Sequence, residues 1–195
     1  MNIYEQQASN RRDTWIVMAI FALFLAFLGY GFDLFYLGIP YPVGGVMAFG
    51  VGLAAAFYGY YSGDRAVLTS AGAVPMGPAL AAAATDEERF KLTQLQNVNE
   101  EMAIAAGIRR PRLYVIPDPD PNAFATGRGP GYASIAVTRG LLDVLNRDEL
   151  QGVVAHEMSH IRNYDIRLMT VVAALVGAIT LLSDWATHRR RGSTW

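Results

Sequence analysis

The sequence contains no cysteine, which excludes disulfide frameworks, thiol nucleophiles and cysteine-ligated zinc. Charged residues are scarce, at 17% of the 195 residues, whereas soluble domains carry roughly 25%. Lys and Arg number 16 and Asp and Glu number 17, so the net charge is −1. This balance argues against nucleic acid as a partner. Any metal site in this chain must use histidine and carboxylate ligands.

What the sequence has instead is two uncharged stretches near its start. Residues 14–32 and residues 43–63 carry no charged side chain, and the short link between them holds two prolines and no Lys or Arg. As a helix, the first stretch is about 28 Å long, close to the thickness of the hydrocarbon core of a bilayer. We predict a transmembrane helical hairpin. The alternative is a buried pair of helices in a soluble protein.

The basic residues around the hairpin predict its orientation. Arg11 and Arg12 precede the first stretch and Arg65 follows the second. By the positive-inside rule, the N-terminus and everything after Arg65 are expected in the cytoplasm. The predicted location is therefore the cell inner (plasma) membrane, crossed more than once.

Composition divides the chain into four segments. Residues 1–65 are the N-terminus and hairpin, and residues 66–84 are a low-complexity linker rich in Ala, Gly and Pro. Residues 85–165 are the predicted folded core. Residues 166–195 are a further hydrophobic, membrane-associated helix with a basic end, and its topology is left open between spanning, re-entering and packing against the hairpin.

Local signals predict helices and short strands in the core. Thr85 and Glu88 form a capping-box pattern that begins a helix, which Gly107 ends. A short strand and a hairpin around a glycine-rich loop follow. The three predicted strands are residues 112–116, 122–126 and 132–137.

One motif carries chemistry: His156, Glu157 and His160 form the pattern H-E-x-x-H, in a segment that begins with a capping-box pattern at Asn146. On a helix, this spacing places both imidazoles on one face, about 6 Å apart, as two ligands of one ion require. Glu157 flanks the site and can accept a proton from a water molecule. Zinc accepts neutral imidazole and activates water near neutral pH. The motif therefore predicts zinc-dependent hydrolysis.

The sequence resembles the HtpX family of membrane zinc metalloproteases over nearly its whole length. Besides the hairpin, the resemblance lies in four strings: AAGIRRP at 105–111, NAFATG at 122–127, AVTRGLL at 136–142 and AHEMSHIRNYD at 155–165. It implies an α+β fold, a zincin-type domain of helices and a small mixed sheet with an edge strand, behind the hairpin. It also implies a cytoplasm-facing endopeptidase that degrades misfolded or damaged membrane proteins. His156 and His160 would bind one Zn²⁺ and Glu157 would be the general base.

The resemblance also assigns a role to residues 122–126 as the strand that aligns the substrate. An edge strand has free N–H and C=O groups, so an extended polypeptide can add to it as a further strand. Ala123 and Phe124 are expected on opposite sides of the sheet. The candidate substrate-binding residues are Asn122, Ala123, Phe124 and Ala125. The expected partners are unfolded or membrane protein substrates and the lipid bilayer, without nucleic acid.

The third zinc ligand of the family is a Glu well downstream of the motif, and no Glu follows Glu157 here. If the motif helix runs on, Asp165 lies about 180° round from His156 and faces away. Asp184 and His188 are far along the chain. We therefore expect a C-terminally truncated protease that is inactive alone. The alternative is a catalytically incomplete fragment or pseudoprotease that acts as a non-enzymatic membrane protein.

Overall fold

The computed structural model describes the backbone of residues 3–191 and the side chains of residues 4–177 and 179–180. The side chains of Asp184 and His188, considered above as ligands, lie outside the described residues. The helices are α1 (Ile3–Phe32), α2 (Val43–Ser70), α3 (Met76–Ala81), α4 (Asp86–Ala106), α5 (Arg139–Val144), α6 (Arg147–Asn163) and α7 (Asp165–Arg191), and the strands are β1 (Val74–Pro75), β2 (Arg112–Ile116), β3 (Ala123–Thr126) and β4 (Ser134–Thr138). The described chain is thus mostly helical, with one small sheet.

Two helical stretches, Tyr4–Leu37 and Val43–Ser70, are long and apolar enough to cross a membrane. The first consists of α1 and a π-helical turn, Asp33–Leu37. The carboxylate of Asp33, only 1% exposed, accepts hydrogen bonds from the backbone N–H groups of Gly44 (3.0 Å) and Gly45 (3.1 Å). Asp33 therefore caps the N-terminus of α2, where the helix dipole favours negative charge.

The sheet is mixed, as predicted, with the strand order β1-β2-β4-β3. The β2 and β4 strands pair in parallel, and the other two pairs are antiparallel. One face packs against α4 and α6 in the main core. The other face packs around Leu68, near the C-terminal end of α2. Strand β3 lies at one end of the sheet, which is the edge position expected for it.

The segment predicted as a linker, residues 66–84, contributes to the core. It contains the last turn of α2, strand β1 and helix α3. Met76 is 6% exposed and Ala79 is 3% exposed, and both belong to the main hydrophobic cluster. Strand β1 has only two residues, too few to show an alternation of polar and apolar side chains in the sequence. It is a strand because it pairs with β2.

Helix α7 packs against both helices of the hairpin. Val171 and Leu175 of α7 form a small buried cluster with Met18 of α1 and Ala56 of α2. The described residues of α7 thus pack against the hairpin, as one of the three arrangements requires. The contact places the start of α7 between the hairpin and β3.

Candidate metal and catalytic site

Helix α6 carries the H-E-x-x-H motif on its open face. Asn146 caps the helix by accepting the N–H groups of Asp148 and Glu149, and the Glu149 carboxylate accepts the N–H of Asn146. This is the predicted capping box. The opposite face of the helix is buried in the main core through four apolar side chains, Leu150, Val154, Met158 and Ile161. The buried face fixes the rotation of α6, and so leaves both histidines and Glu157 facing the sheet edge.

The imidazoles of His156 and His160 converge on one point. Their Nε2 atoms are 3.1 Å apart, and the rings are nearly perpendicular, at 88°. Two nitrogen ligands of one tetrahedral zinc ion, each about 2.0–2.1 Å from the metal, lie about 3.3 Å apart. The pair therefore fits one zinc ion with little movement.

Asp165 does not face away from the site, contrary to the prediction. The prediction assumed a continuous helix, but α6 ends at Asn163 and Tyr164 adopts a left-handed conformation with φ of 63°. This turn swings Asp165 back toward α6. Its Oδ2 atom lies 2.6 Å from Nδ1 of His160. A carboxylate at Nδ1 holds the proton there and leaves the Nε2 lone pair free for a metal.

Glu157 is half-buried beside the histidines. Burial raises the pKa of its carboxyl above the ordinary value, since a charged carboxylate is disfavoured away from water. Asp165 adds to the rise, while His160, the backbone N–H of Ala125 and His156 oppose it. A carboxylate with a raised pKa is a better proton acceptor near neutral pH.

The edge strand β3 lies directly beside this carboxylate. The hydrogen bond from the Thr138 N–H to the Asn122 C=O (2.9 Å) shows which residues of β3 bond to β4: every second residue, from Asn122 onward, directs its backbone groups toward β4. Ala123 and Ala125 consequently direct their backbone groups to the free edge. Ala123 and Ala125 pack on the main core and Phe124 on the cluster around Leu68, which confirms that Ala123 and Phe124 face opposite sides. Asn122 precedes the strand and its backbone is bonded to Thr138.

A cavity of about 470 Å³ adjoins the motif and the edge strand. Its walls come from four elements, β3, α6, α7 and the end of α2, and are mostly apolar. Glu157 and His160 lie in one wall. The apolar residues that line the cavity with them include Val67, Ile166, Met169 and Ala173. The cavity can hold an apolar side chain of a polypeptide bound along β3.

Comparison with known proteins identifies the family. The sequence model of peptidase family M48 matches residues 90–192, which are more than half of the chain. The chain belongs to peptidase family M48. Three relatives are described as protease HtpX homologues. They come from Caldanaerobacter subterraneus subsp. tengcongensis (45% identical, over 93% of this chain and 56% of the relative), Dictyoglomus turgidum (41%, over 93% and 55%) and Streptococcus pneumoniae (43%, over 94% and 58%). The chain thus spans a little over half the length of these relatives, and the resemblance to the HtpX family is confirmed.

Membership of M48 raises the question of a third metal ligand. Among the described side chains, no group of three His, Asp or Glu residues is placed to hold one ion. The carboxylate of Asp165 contacts Nδ1 of His160, the ring nitrogen that faces away from His156. Within the described part of the chain, His156 and His160 are therefore the candidate ligands.

The contact of Asp165 with His160 could not be predicted from the sequence. Asp165 follows His160 by five positions, and an unbroken helix cannot bring side chains at that spacing together. Tyr is not a residue that commonly adopts a left-handed conformation, so nothing in the local sequence indicates the break.

Proposed function

We propose that this chain carries the metal-binding and catalytic groups of a membrane-bound, zinc-dependent endopeptidase with a zincin-type domain. The observation that carries the proposal is the 3.1 Å approach of the two Nε2 atoms beside the carboxylate of Glu157 and the free edge of β3. Membership of M48 and the similarity to protease HtpX homologues support it.

The donor set fits zinc, because Asp165 fixes the proton of His160 on Nδ1 and the Nε2 atoms of both imidazoles point to one position. His156 and His160 would hold the ion, which supplies a Lewis acid for the peptide carbonyl and a lowered pKa for water. Glu157 accepts a proton from the attacking water and returns it to the leaving amine nitrogen. Its position against the Ala125 backbone places this proton transfer beside the bound polypeptide.

The substrates that fit are extended polypeptides. A chain can pair with the edge-facing backbone of β3, at Ala123 and at the C=O of Ala125, only if it is unfolded locally. The apolar cavity receives side chains that folded proteins bury. Together these features favour misfolded or damaged proteins, and we propose a role in protein quality control.

Membrane proteins are favoured among these substrates because the cavity lies against the hairpin. Val67, in its wall, is only four residues beyond residue 63, where the second uncharged stretch ends. We propose that residues 1–65 anchor the protein in the cell inner membrane as a multi-pass hairpin with spans near 14–32 and 43–63. Residues 66–165 and the N-terminus are then cytoplasmic, and the described part of α7 lies beside the two spans, where Val171 and Leu175 contact Met18 and Ala56.

The test is the Glu157→Gln variant of the full-length natural protein, reconstituted in lipid, with a labelled unstructured polypeptide as substrate. Turnover should fall 100-fold or more, because the proton acceptor is lost. Bound zinc, measured by metal analysis, should be unchanged because Glu157 is not a ligand. The matched control is Glu87→Gln, an exposed residue of α4, which should keep full turnover. Retained turnover in Glu157→Gln, or zinc lost together with turnover, contradicts the assignment.

A further inference from the structure

The N-terminal end of α1 lies against the end of the motif helix α6. Gln7 Nε2 donates a hydrogen bond to the backbone C=O of Arg162 (2.8 Å), and Asn10 Nδ2 donates one to the C=O of Asn163 (2.9 Å). Spaced by three residues, Gln7 and Asn10 lie on one face of α1. These contacts join parts of the chain that are more than 150 residues apart in sequence.

The bonded carbonyls need partners from outside α6. The last four C=O groups of a helix have no partner within it, and α6 stops abruptly because Tyr164 is left-handed. The N–H of Tyr164 reaches only the C=O of Ile161, at 3.3 Å. The next two carbonyls along the chain, those of Arg162 and Asn163, accept hydrogen bonds from the side chains of Gln7 and Asn10.

The same part of α1 also contacts the turn residue itself. The guanidinium of Arg11 lies 4.4 Å from the centre of the Tyr164 ring, a cation–π distance. Within the described residues, Tyr164 is the one non-glycine residue with positive φ. Such a conformation is unfavourable for an L side chain and persists where the surroundings hold it. Gln7, Asn10 and Arg11, here called the N-terminal clasp, are a large part of those surroundings.

The turn that the clasp holds determines the geometry of the candidate metal site. Asn163 follows His160 by three residues and precedes Asp165 by two. If the end of α6 frays or continues as helix, Asp165 leaves Nδ1 of His160. We propose that Gln7 and Asn10 are positioning residues of the metal site: they fix the end of α6 so that Asp165 orients His160. This inference rests on the proposed function and adds α1 to its machinery.

The clasp is rigidly connected to the hairpin. Helix α1 is continuous from Ile3 to Phe32, and fully buried Thr14 donates its hydroxyl to the Asn10 C=O at 2.8 Å. One turn further, Met18 packs on Val171 and Leu175 of α7. Helix α1 therefore contacts the C-terminal end of α6, before the turn at Tyr164, and also contacts α7, after that turn.

The experiment uses isosteric variants that remove the donor and keep the shape. Asn10→Asp and Gln7→Glu each replace an amide donor by a carboxylate oxygen facing a carbonyl. The matched control is Gln6→Glu, the same change at the exposed neighbour. In the full-length natural protein in detergent micelles, we expect each clasp variant to weaken zinc affinity about 3- to 10-fold. The control should bind as the wild type does.

A second measurement does not depend on zinc. Nitrogen NMR of the metal-free protein, with labelled histidine, reports which ring nitrogen of His160 carries the proton. The wild type and Gln6→Glu should show the proton on Nδ1, and the clasp variants a mixture of both tautomers. If Asn10→Asp does not fold, Asn10→Ala takes its place, with its unfolding temperature measured alongside.

The outcomes separate this inference from the proposed function. If the wild type binds no zinc, the proposed function fails, and the tautomer of His160 alone decides the inference. If the wild type binds zinc and both clasp variants match it in affinity and tautomer, the inference is overturned. Weaker zinc binding together with a mixed tautomer, at an unfolding temperature close to that of the control, supports it.

Discussion

The carboxylate of Asp165 lies 2.6 Å from Nδ1 of His160, although the two residues face different directions on any continuous helix. The contact exists because Tyr164 interrupts the helix with a left-handed turn. A histidine whose Nδ1 proton is bound by a carboxylate presents a fixed and more basic Nε2. The helix break therefore places the carboxylate that would orient His160 in the proposed site.

The first prediction concerns this pair. Asp165→Asn in the full-length natural protein should lower zinc affinity about 10- to 100-fold, the usual cost of losing a partner that orients a metal-binding histidine. Competition with a chromogenic chelator measures the affinity. The control Asp148→Asn removes a charge that is 93% exposed on α6, the helix of His160, and should leave zinc affinity unchanged. Equal affinities for Asp165→Asn and the wild type would remove Asp165 from the site.

Local sequence signals predicted the elements of the core well. Thr85 accepts the N–H of Glu88 at 3.1 Å, and Gly107 ends α4 in a left-handed conformation with φ of 63°, both as expected. Strand β2 has the predicted bounds and β3 begins one residue later than predicted, while β4 begins at Ser134 because residues 130–132 form a helical turn. Each of these features depends on hydrogen bonds or alternation within a few residues, which is why the sequence reveals them.

What the sequence could not reveal depends on distant contacts. The turn at Tyr164 is held by Arg11 and Asn10, from the other end of the described chain. Strand β1 consists of Val74 and Pro75, and its pairing partner β2 lies some 40 residues later. In both places tertiary contacts select a backbone conformation for which local propensity gives no preference.

The second prediction concerns the cavity. Ala173→Phe should fill part of the cavity that Glu157 and His160 also line and so exclude large apolar side chains next to the cleaved bond. We expect kcat/KM to fall at least about 10-fold for peptides with Leu or Phe there and to change little for those with Ala, because pocket volume discriminates by about this much. Profiling with a peptide library measures the shift. The control is Ala81→Phe, an exposed position on α3. An unchanged profile would mean that substrate side chains do not enter this cavity.

The third prediction concerns topology. Reporter fusions after Tyr41, in the exposed link of the hairpin, and after Gly72, beyond α2, should report opposite sides of the membrane. The Gly72 fusion should report the cytoplasm, because the basic residues lie at the two outer ends of the hairpin and the link has none. At each position, one fusion carries a reporter that is active only in the cytoplasm and another carries a reporter that is active only outside it, and the two activities are compared. If both positions report the same side, the hairpin does not span the membrane.

The fourth prediction is that the 195-residue chain by itself binds zinc weakly and does not cleave peptides. Catalytic zinc sites use three protein ligands and one open position, and the described part of this chain brings together two, His156 and His160. Asp165 does not supply the third, because its carboxylate is bound to the far side of His160. Each missing ligand removes a direct metal bond, so water occupies two positions and affinity falls steeply. Zinc titration of the purified chain measures this, and His156→Ala should abolish the residual binding. Tight, stoichiometric zinc accompanied by peptide cleavage would mean that a further ligand comes from this chain, and Asp165→Asn would then be the first variant to titrate.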